Sequence, residues 1–161
     1  MEAVELGDLV DFSTTLNLNA PDALKQIALF ARRLMTGVNP NHLLQRTATI
    51  MRDAHQREPS ETESAAIAFL NQRTHRCVAD LLLKMNREAR VRRFRPAVLG
   101  TCLRALDMCG GSDGMGFREA ALHIREQNRF VGRRLPRRGV GSTLLLKGLE
   151  AYVAVILNGS A

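Results

Sequence analysis

Arginine is the chemistry-bearing residue that this chain concentrates. Arg129, Arg133, Arg134, Arg137 and Arg138 form one cluster, and Arg87, Arg90, Arg92, Arg93 and Arg95 form another. Each guanidinium is a planar fork of donors that matches phosphate oxygens, so such density suits a polyanion, with binding that weakens steeply in salt. The same clusters also suit solvated turns or an acidic protein partner. Other chemistry finds little support. His42, His55, His75 and His123 are scattered, and His75 with Cys77 is too tight a pair for zinc, so no metal site is expected. Cys77, Cys102 and Cys109 lie on apolar helical stripes or near a helix end, where small buried hydrophobes are expected rather than nucleophiles. The glycine-rich loop Gly110–Gly116 follows a helical pattern and has no Gly-Lys-Ser/Thr ending, so it reads as a connector. Gly141–Lys147 is not a P-loop either, because Leu146 stands where the second glycine belongs and Gly148 where a hydroxyl should meet magnesium. No acidic pair follows an apolar strand, so an independent ATPase is not expected.

Five helical segments are expected to position these groups. In the first, Leu24, Ile27, Ala28, Ala31, Leu34 and Met35 share a face, opened by Pro21 and closed by Gly37. Asn39–Pro40 begins the second, with Leu43, Leu44, Thr47, Ile50, Met51 and Ala54 inward and Pro59 as its stop. The third starts at a capping box, Ser60 with Glu63, and its stripe runs Ile67, Leu70, Thr74, Cys77, Leu81, Met85. The fourth follows Arg95–Pro96, uses Val98, Leu99, Cys102, Leu103 and Leu106, and ends at Gly110–Gly111. The fifth covers about Phe117 to Val131, with Phe117, Ala121, Ile124 and Val131 inward. Residues 1–18 read as an extended lead-in, with a short strand around Leu9, Val10 and Phe12. After Gly139 the texture changes: Val140, Leu144–Leu146 and Tyr152–Leu157 read as one or two buried strands.

Composition agrees with a helical core. Apolar residues make up 45% of the 161, aromatics only 4%, with no Trp, so helices must pack through Leu, Ala, Val, Ile and Met. The net charge of +7 is uneven. Residues 1–86 hold 9 Lys/Arg against 10 Asp/Glu, while residues 87–161 hold 14 against 6. Three cysteines without a C-x-x-C pair, and an acidic start (Glu2, Glu5, Asp8, Asp11), argue against a disulfide framework or a leader peptide and for a cytoplasmic setting. No apolar run approaches the ~20 residues of a membrane span, so no membrane partner is expected.

The stretch from Val140 to Leu157 resembles motif V of UvrD/Rep-like superfamily-one DNA helicases: a Thr, then Lys-Gly-Leu-Glu, then an apolar strand. Here these are Thr143, Lys147-Gly148-Leu149-Glu150 and a Val/Ile run. The resemblance covers about a tenth of the chain. It implies that Thr143 touches the backbone of single-stranded DNA, that Lys147 supports the loop, that Gly148 lets the chain turn beside the nucleotide cleft, and that Glu150 faces the ribose. ATP and magnesium are the family's cofactors. Departures weigh against activity: Leu144 replaces a frequent His, and the P-loop, the acidic magnesium motif and the later arginine have no counterpart, so nothing here stabilises a transferring phosphoryl group.

The resulting expectation is a mainly α protein. Residues 1–138 would form a five-helix domain, and residues 139–161 one or two terminal β-strands from an incomplete RecA-like α/β domain. Its function would be that of a helicase motor fragment that binds single-stranded DNA without ATPase activity, with no cofactor of its own. A protein partner could supply the missing parts. The alternatives are a self-standing basic helical module for nucleic acid and a helical interaction protein.

Overall fold

A computed structural model describes residues 2–53, 57–109 and 115–130 of the chain. Residues Met1–Arg129 form one compact unit. Among the described residues there are seven helices and a single two-stranded antiparallel ladder. The mainly helical class expected from composition is what the chain adopts. The strands expected after Gly139, and the domain boundary at 138/139, lie outside the described residues.

The first difference comes at the start of the chain. Residues 1–18 are not an extended lead-in; Glu2–Thr15 is a helix, α1. Leu9, Phe12 and Ser13 are buried at i, i+3, i+4, which is helical spacing that a strand could not use. Its last turn is rich in hydroxyl residues, the feature that reads as strand or loop. Those hydroxyls instead donate back to the helix, Ser13 and Thr14 to the carbonyl of Val10 at 2.7 and 2.9 Å and Thr15 to that of Asp11 at 3.0 Å.

Helix α2 (Ala23–Arg32) carries the expected apolar face, with Leu24, Ile27, Ala28 and Ala31 all buried. The chain then leaves the helix: Leu34 and Met35 are completely buried, but Met35 belongs to β1 (Met35–Thr36). Helix α3 (Pro40–Met51) begins where Asn39–Pro40 indicated, the Asn39 side chain accepting from the amide of His42 at 3.1 Å. Leu43 and Thr47 are inward as expected, but Met51 is 56% exposed and closes the helix instead of packing; Ala54 lies outside the described residues.

The third expected helix is two helices, α4 (Glu61–Gln72) and α5 (His75–Arg87). The capping box is present as read: Ser60 Oγ accepts from the Glu63 amide at 3.2 Å, and Glu63 accepts from the Ser60 amide at 2.9 Å. The break falls at Arg73, whose φ of +48° reverses the chain. No Gly or Pro marks it. Arg73 holds that left-handed conformation by donating through Nη1 to the carbonyls of Leu18 and Ala20, at 2.9 and 3.1 Å. The continuous stripe therefore splits. The inward residues are Ala65, Ala66 and Phe69 on α4, and Val78, Leu81, Leu82 and Met85 on α5, whereas Ile67, Leu70 and Cys77 are half-buried and Thr74 caps α5 from an exposed position.

β2 (Arg92–Arg93) follows α5 and pairs with β1, Met35 opposite Arg93 and Thr36 opposite Arg92. Helix α6 (Pro96–Met108) buries Val98, Leu99, Cys102, Ala105 and Leu106, while Leu103 is half-buried. Helix α7 (Phe117–Phe130) buries Phe117, Ala120, Ala121 and Ile124; Val131 lies outside the described residues. α4 and α5 pack as a hairpin, α2 touches α3, α4 and α5, and α1 leans on α6. An aromatic node ties α1, α2, α5 and α7 together. Phe12 stacks on Phe30 at 3.9 Å and meets Phe117 edge-on at 5.7 Å, and the His75 ring sits 5.7 Å from Phe117. Each such pair contributes about 0.5–1.5 kcal/mol beyond its buried area.

A polar node sits between α3 and α4. Glu63 is 4% exposed, yet it accepts from Arg46 Nε at 3.0 Å and Arg57 Nη2 at 3.4 Å, besides the Ser60 amide. Burial pushes its carboxyl up, but these hydrogen bonds and the two guanidinium charges outweigh that and hold it below the usual carboxylate value.

Candidate nucleic-acid interface

The ladder pairs part of one arginine cluster, Arg92 and Arg93, with β1. Leu34's carbonyl accepts from the amides of both Phe94 and Arg95, at 3.1 and 3.3 Å, and the Thr36 hydroxyl donates to the carbonyl of Arg92 at 3.2 Å. On the other side of this segment, Arg95 donates to the carboxylate of Asp8 on α1, which also meets Arg33 at 3.6 Å. Arg95 therefore works as an anchor between α1, the ladder and α6 and is not a free phosphate contact.

The remaining members of that cluster face water. Arg87, Arg90, Arg92 and Arg93 are exposed, and no acidic side chain among the described residues pairs with Arg92 or Arg93. Phe94, between Arg93 and Arg95, is 54% exposed, in a domain whose other described phenylalanines at 12, 30, 69 and 117 are at most 6% exposed. Arg32 and Arg33, exposed at the end of α2, lead into β1. An exposed aromatic ring among unpaired guanidinium groups can stack a base while its neighbours meet the backbone phosphates. The flanking ladder supplies a fixed platform for both.

Sequence reasoning singled out Arg92 and Arg93 but passed over Phe94, Arg32 and Arg33. The signal for Phe94 was available: an aromatic residue inside an Arg-Arg-Phe-Arg run just before a proline is poorly suited to a core. Of the second cluster, Arg129 falls in the last turn of α7, and its side chain lies outside the described residues. Arg133, Arg134, Arg137 and Arg138 lie outside them as well. So do all four motif V-like residues, Thr143, Lys147, Gly148 and Glu150.

Burial pushes the thiols of Cys102 and Cys109 up, away from the reactive thiolate, with the neighbouring Cys109 adding to the effect at Cys102. Among the described residues no group of His, Cys, Asp and Glu is arranged to hold a metal ion, and no helix is long and apolar enough to cross a membrane. Comparison with protein-family models, with curated proteins and with solved structures finds no match to this chain.

Proposed function

We propose that this protein binds single-stranded nucleic acid through the exposed segment Arg92–Phe94. The observation that carries the reading is the half-exposed Phe94 ring set between arginines on a backbone held by the β1–β2 ladder. Binding would combine base stacking on Phe94 with phosphate contacts from the guanidinium groups, tolerant of sequence and sensitive to salt.

The test is fluorescence anisotropy with a labelled single strand of about 15 nucleotides, titrated between about 50 and 200 mM salt. Log affinity should fall linearly with log salt. Replacing both ladder arginines (Arg92→Gln with Arg93→Gln) should flatten the slope by about 1.4, at about 0.7 per phosphate contact. Phe94→Ala should weaken binding by about 1–3 kcal/mol while leaving that slope in place. Undetectable binding at the lowest salt, or full binding by both variants, would overturn the proposal.

The Thr143 and Lys147–Glu150 stretch supports a second reading, in which the chain is a relative of UvrD/Rep-like helicase motors that binds a strand without hydrolysing ATP. ATP turnover by the purified chain that Glu150→Gln abolishes would remove the inactive half of that reading. A DNA region beyond the codon for Ala161 without any strand-helix-arginine remnant would count against the ancestry.

A further inference from the structure

We infer that Asp8 is a positioning residue for the Arg92–Phe94 segment: its carboxylate ties together the two stretches of chain at one end of the β1–β2 ladder and so fixes the backbone that presents the Phe94 ring. The inference rests on the strand-binding reading for its purpose, though not for its geometry.

The ladder is too short to hold that backbone alone. It pairs Met35 with Arg93 and Thr36 with Arg92, and two-stranded pairing is marginal in water without further support. Continued one step in the same register, Leu34 falls opposite Phe94, and the Leu34 carbonyl accepts from the Phe94 amide at 3.1 Å. One step further, Arg33 falls opposite Arg95, and Asp8 joins these two side chains. Its Oδ1 lies 3.6 Å from Arg33 Nη1, while its Oδ2 accepts from Arg95 Nη1. Each oxygen serves one guanidinium, so the carboxylate makes a side-chain rung where main-chain pairing ends. Pro96 follows, without an N–H to extend the ladder.

The three charges are unequally placed. The side chains of Arg95 and Asp8 are 19% and 32% exposed, whereas that of Arg33 is 63% exposed. A charge-assisted hydrogen bond shielded from water holds better than an ion pair in open solvent, so Arg95 carries the positioning and Arg33 adds to it. Asp8 is itself fixed by its neighbours on α1. Leu9 is buried, and Phe12, one turn on, stacks on Phe30 of α2. On the other side, the Arg95 carbonyl accepts from the Leu99 amide at 3.2 Å in the first turn of α6. Phe94 therefore has its own amide held, and the residue after it held by amide, carbonyl and side chain. A ring that is half exposed gains little orientation from core packing and depends on its backbone instead. A base that stacks on a ring already held loses less freedom on binding.

The chain has no Trp, so Phe94→Trp places a single indole at the presented position. Without any strand, the steady-state fluorescence anisotropy of that indole should fall when Asp8→Asn is added. Arg95→Gln, which breaks the same pair from the other side, should lower it too, and Asp8→Glu should keep it close to the parent value. Val78→Ala, a truncation in the core of α5, lowers stability but should leave the anisotropy unchanged. With a labelled strand, Phe94→Ala should cost at least about fivefold in affinity in the parent and less than about twofold in the Asp8→Asn background. Comparing the two backgrounds cancels the general gain in affinity from removing a negative charge. Indole anisotropy indifferent to both Asp8→Asn and Arg95→Gln, or an equal Phe94→Ala loss in the two backgrounds, would overturn the inference. Failure of the parent chain to bind any strand would remove the strand-binding reading instead, and the anisotropy would still decide whether Asp8 positions residue 94.

Discussion

Replacing Gly37 with alanine should disable the ladder on which the proposed interface depends. Gly37 sits at φ +83°, a region that costs an L-residue roughly 1–2 kcal/mol. The added Cβ would meet the Arg90 carbonyl oxygen at 2.4 Å, its carbon at 3.2 Å and the Val91 Cα at 3.4 Å. All three are backbone atoms, so no side chain can swing away. Relief requires β1 and the segment before β2 to separate, which strains the Thr36–Arg92 bond and the two amides held by the Leu34 carbonyl. With about 0.5–1.5 kcal/mol net for each of these three hydrogen bonds added to the backbone cost, the total comes to about 2.5–6.5 kcal/mol if all three are lost. Urea melts followed by far-UV dichroism should show a midpoint lowered by about 1 M or more, given a slope of about 1–3 kcal/mol/M. Gly100→Ala is the matched control. Gly100 lies inside α6 with nothing within 4 Å of its would-be Cβ, so alanine there should stabilise by about 0.5–1 kcal/mol. Strand affinity should fall in the Gly37 variant under conditions where it is still folded. If Gly37→Ala melts within about 0.5 kcal/mol of the parent, the close approach of Gly37 to Arg90 is wrong, and with it the rigidity of the interface.

Three further outcomes are expected. Glu63→Gln leaves Arg46, whose side chain is 21% exposed, without its carboxylate and should cost about 3–5 kcal/mol in urea melts near neutral pH. Because the folded Glu63 carboxyl titrates below its ordinary value, its contribution is present above pH 4.5 and is lost as pH falls through the folded value, so the variant should show a smaller loss between neutral and acid pH. Burial lowers the pKa of His75 below 6.5, so the folded state resists protonating it; stability should be fully present above about pH 6.5 and decline as pH falls through the window down to the folded pKa, and His75→Gln should flatten that step in melts from about pH 5 to 8. Arg73→Ala removes the bonds to Leu18 and Ala20 that hold the left-handed turn, for a loss of about 1–3 kcal/mol by thermal or urea melting. Arg73→Gly should recover about 1 kcal/mol of that loss.

Helix starts were the most legible features of the chain. The Ser60–Glu63 box and the Asn39–Pro40 start each close hydrogen bonds over three residues, so the residues that make the bond also announce it. The inward faces of α2 and α6 were legible for a similar reason, since their apolar residues repeat at helical spacing. The candidate site was legible in part. Arg92 and Arg93 stood out as a charge run, but only burial shows that Arg95 is an anchor and that Phe94 was left outside the core.

Local chemistry thus determined that this chain is helical, where several of its helices begin, and that its cations gather in its second half. Tertiary structure decided the rest, because the deciding contacts span long stretches of sequence. The break between α4 and α5 exists because Arg73 reaches carbonyls 55 and 53 residues away, and the ladder joins Thr36 to Arg92 across 56. Asp8 earns α1 its place by meeting Arg95 across 87 residues. No spacing rule within a short window can register such partners. Their effect appears only once folding has brought the ends of each contact together, and the exposed ring of Phe94 is one of its results.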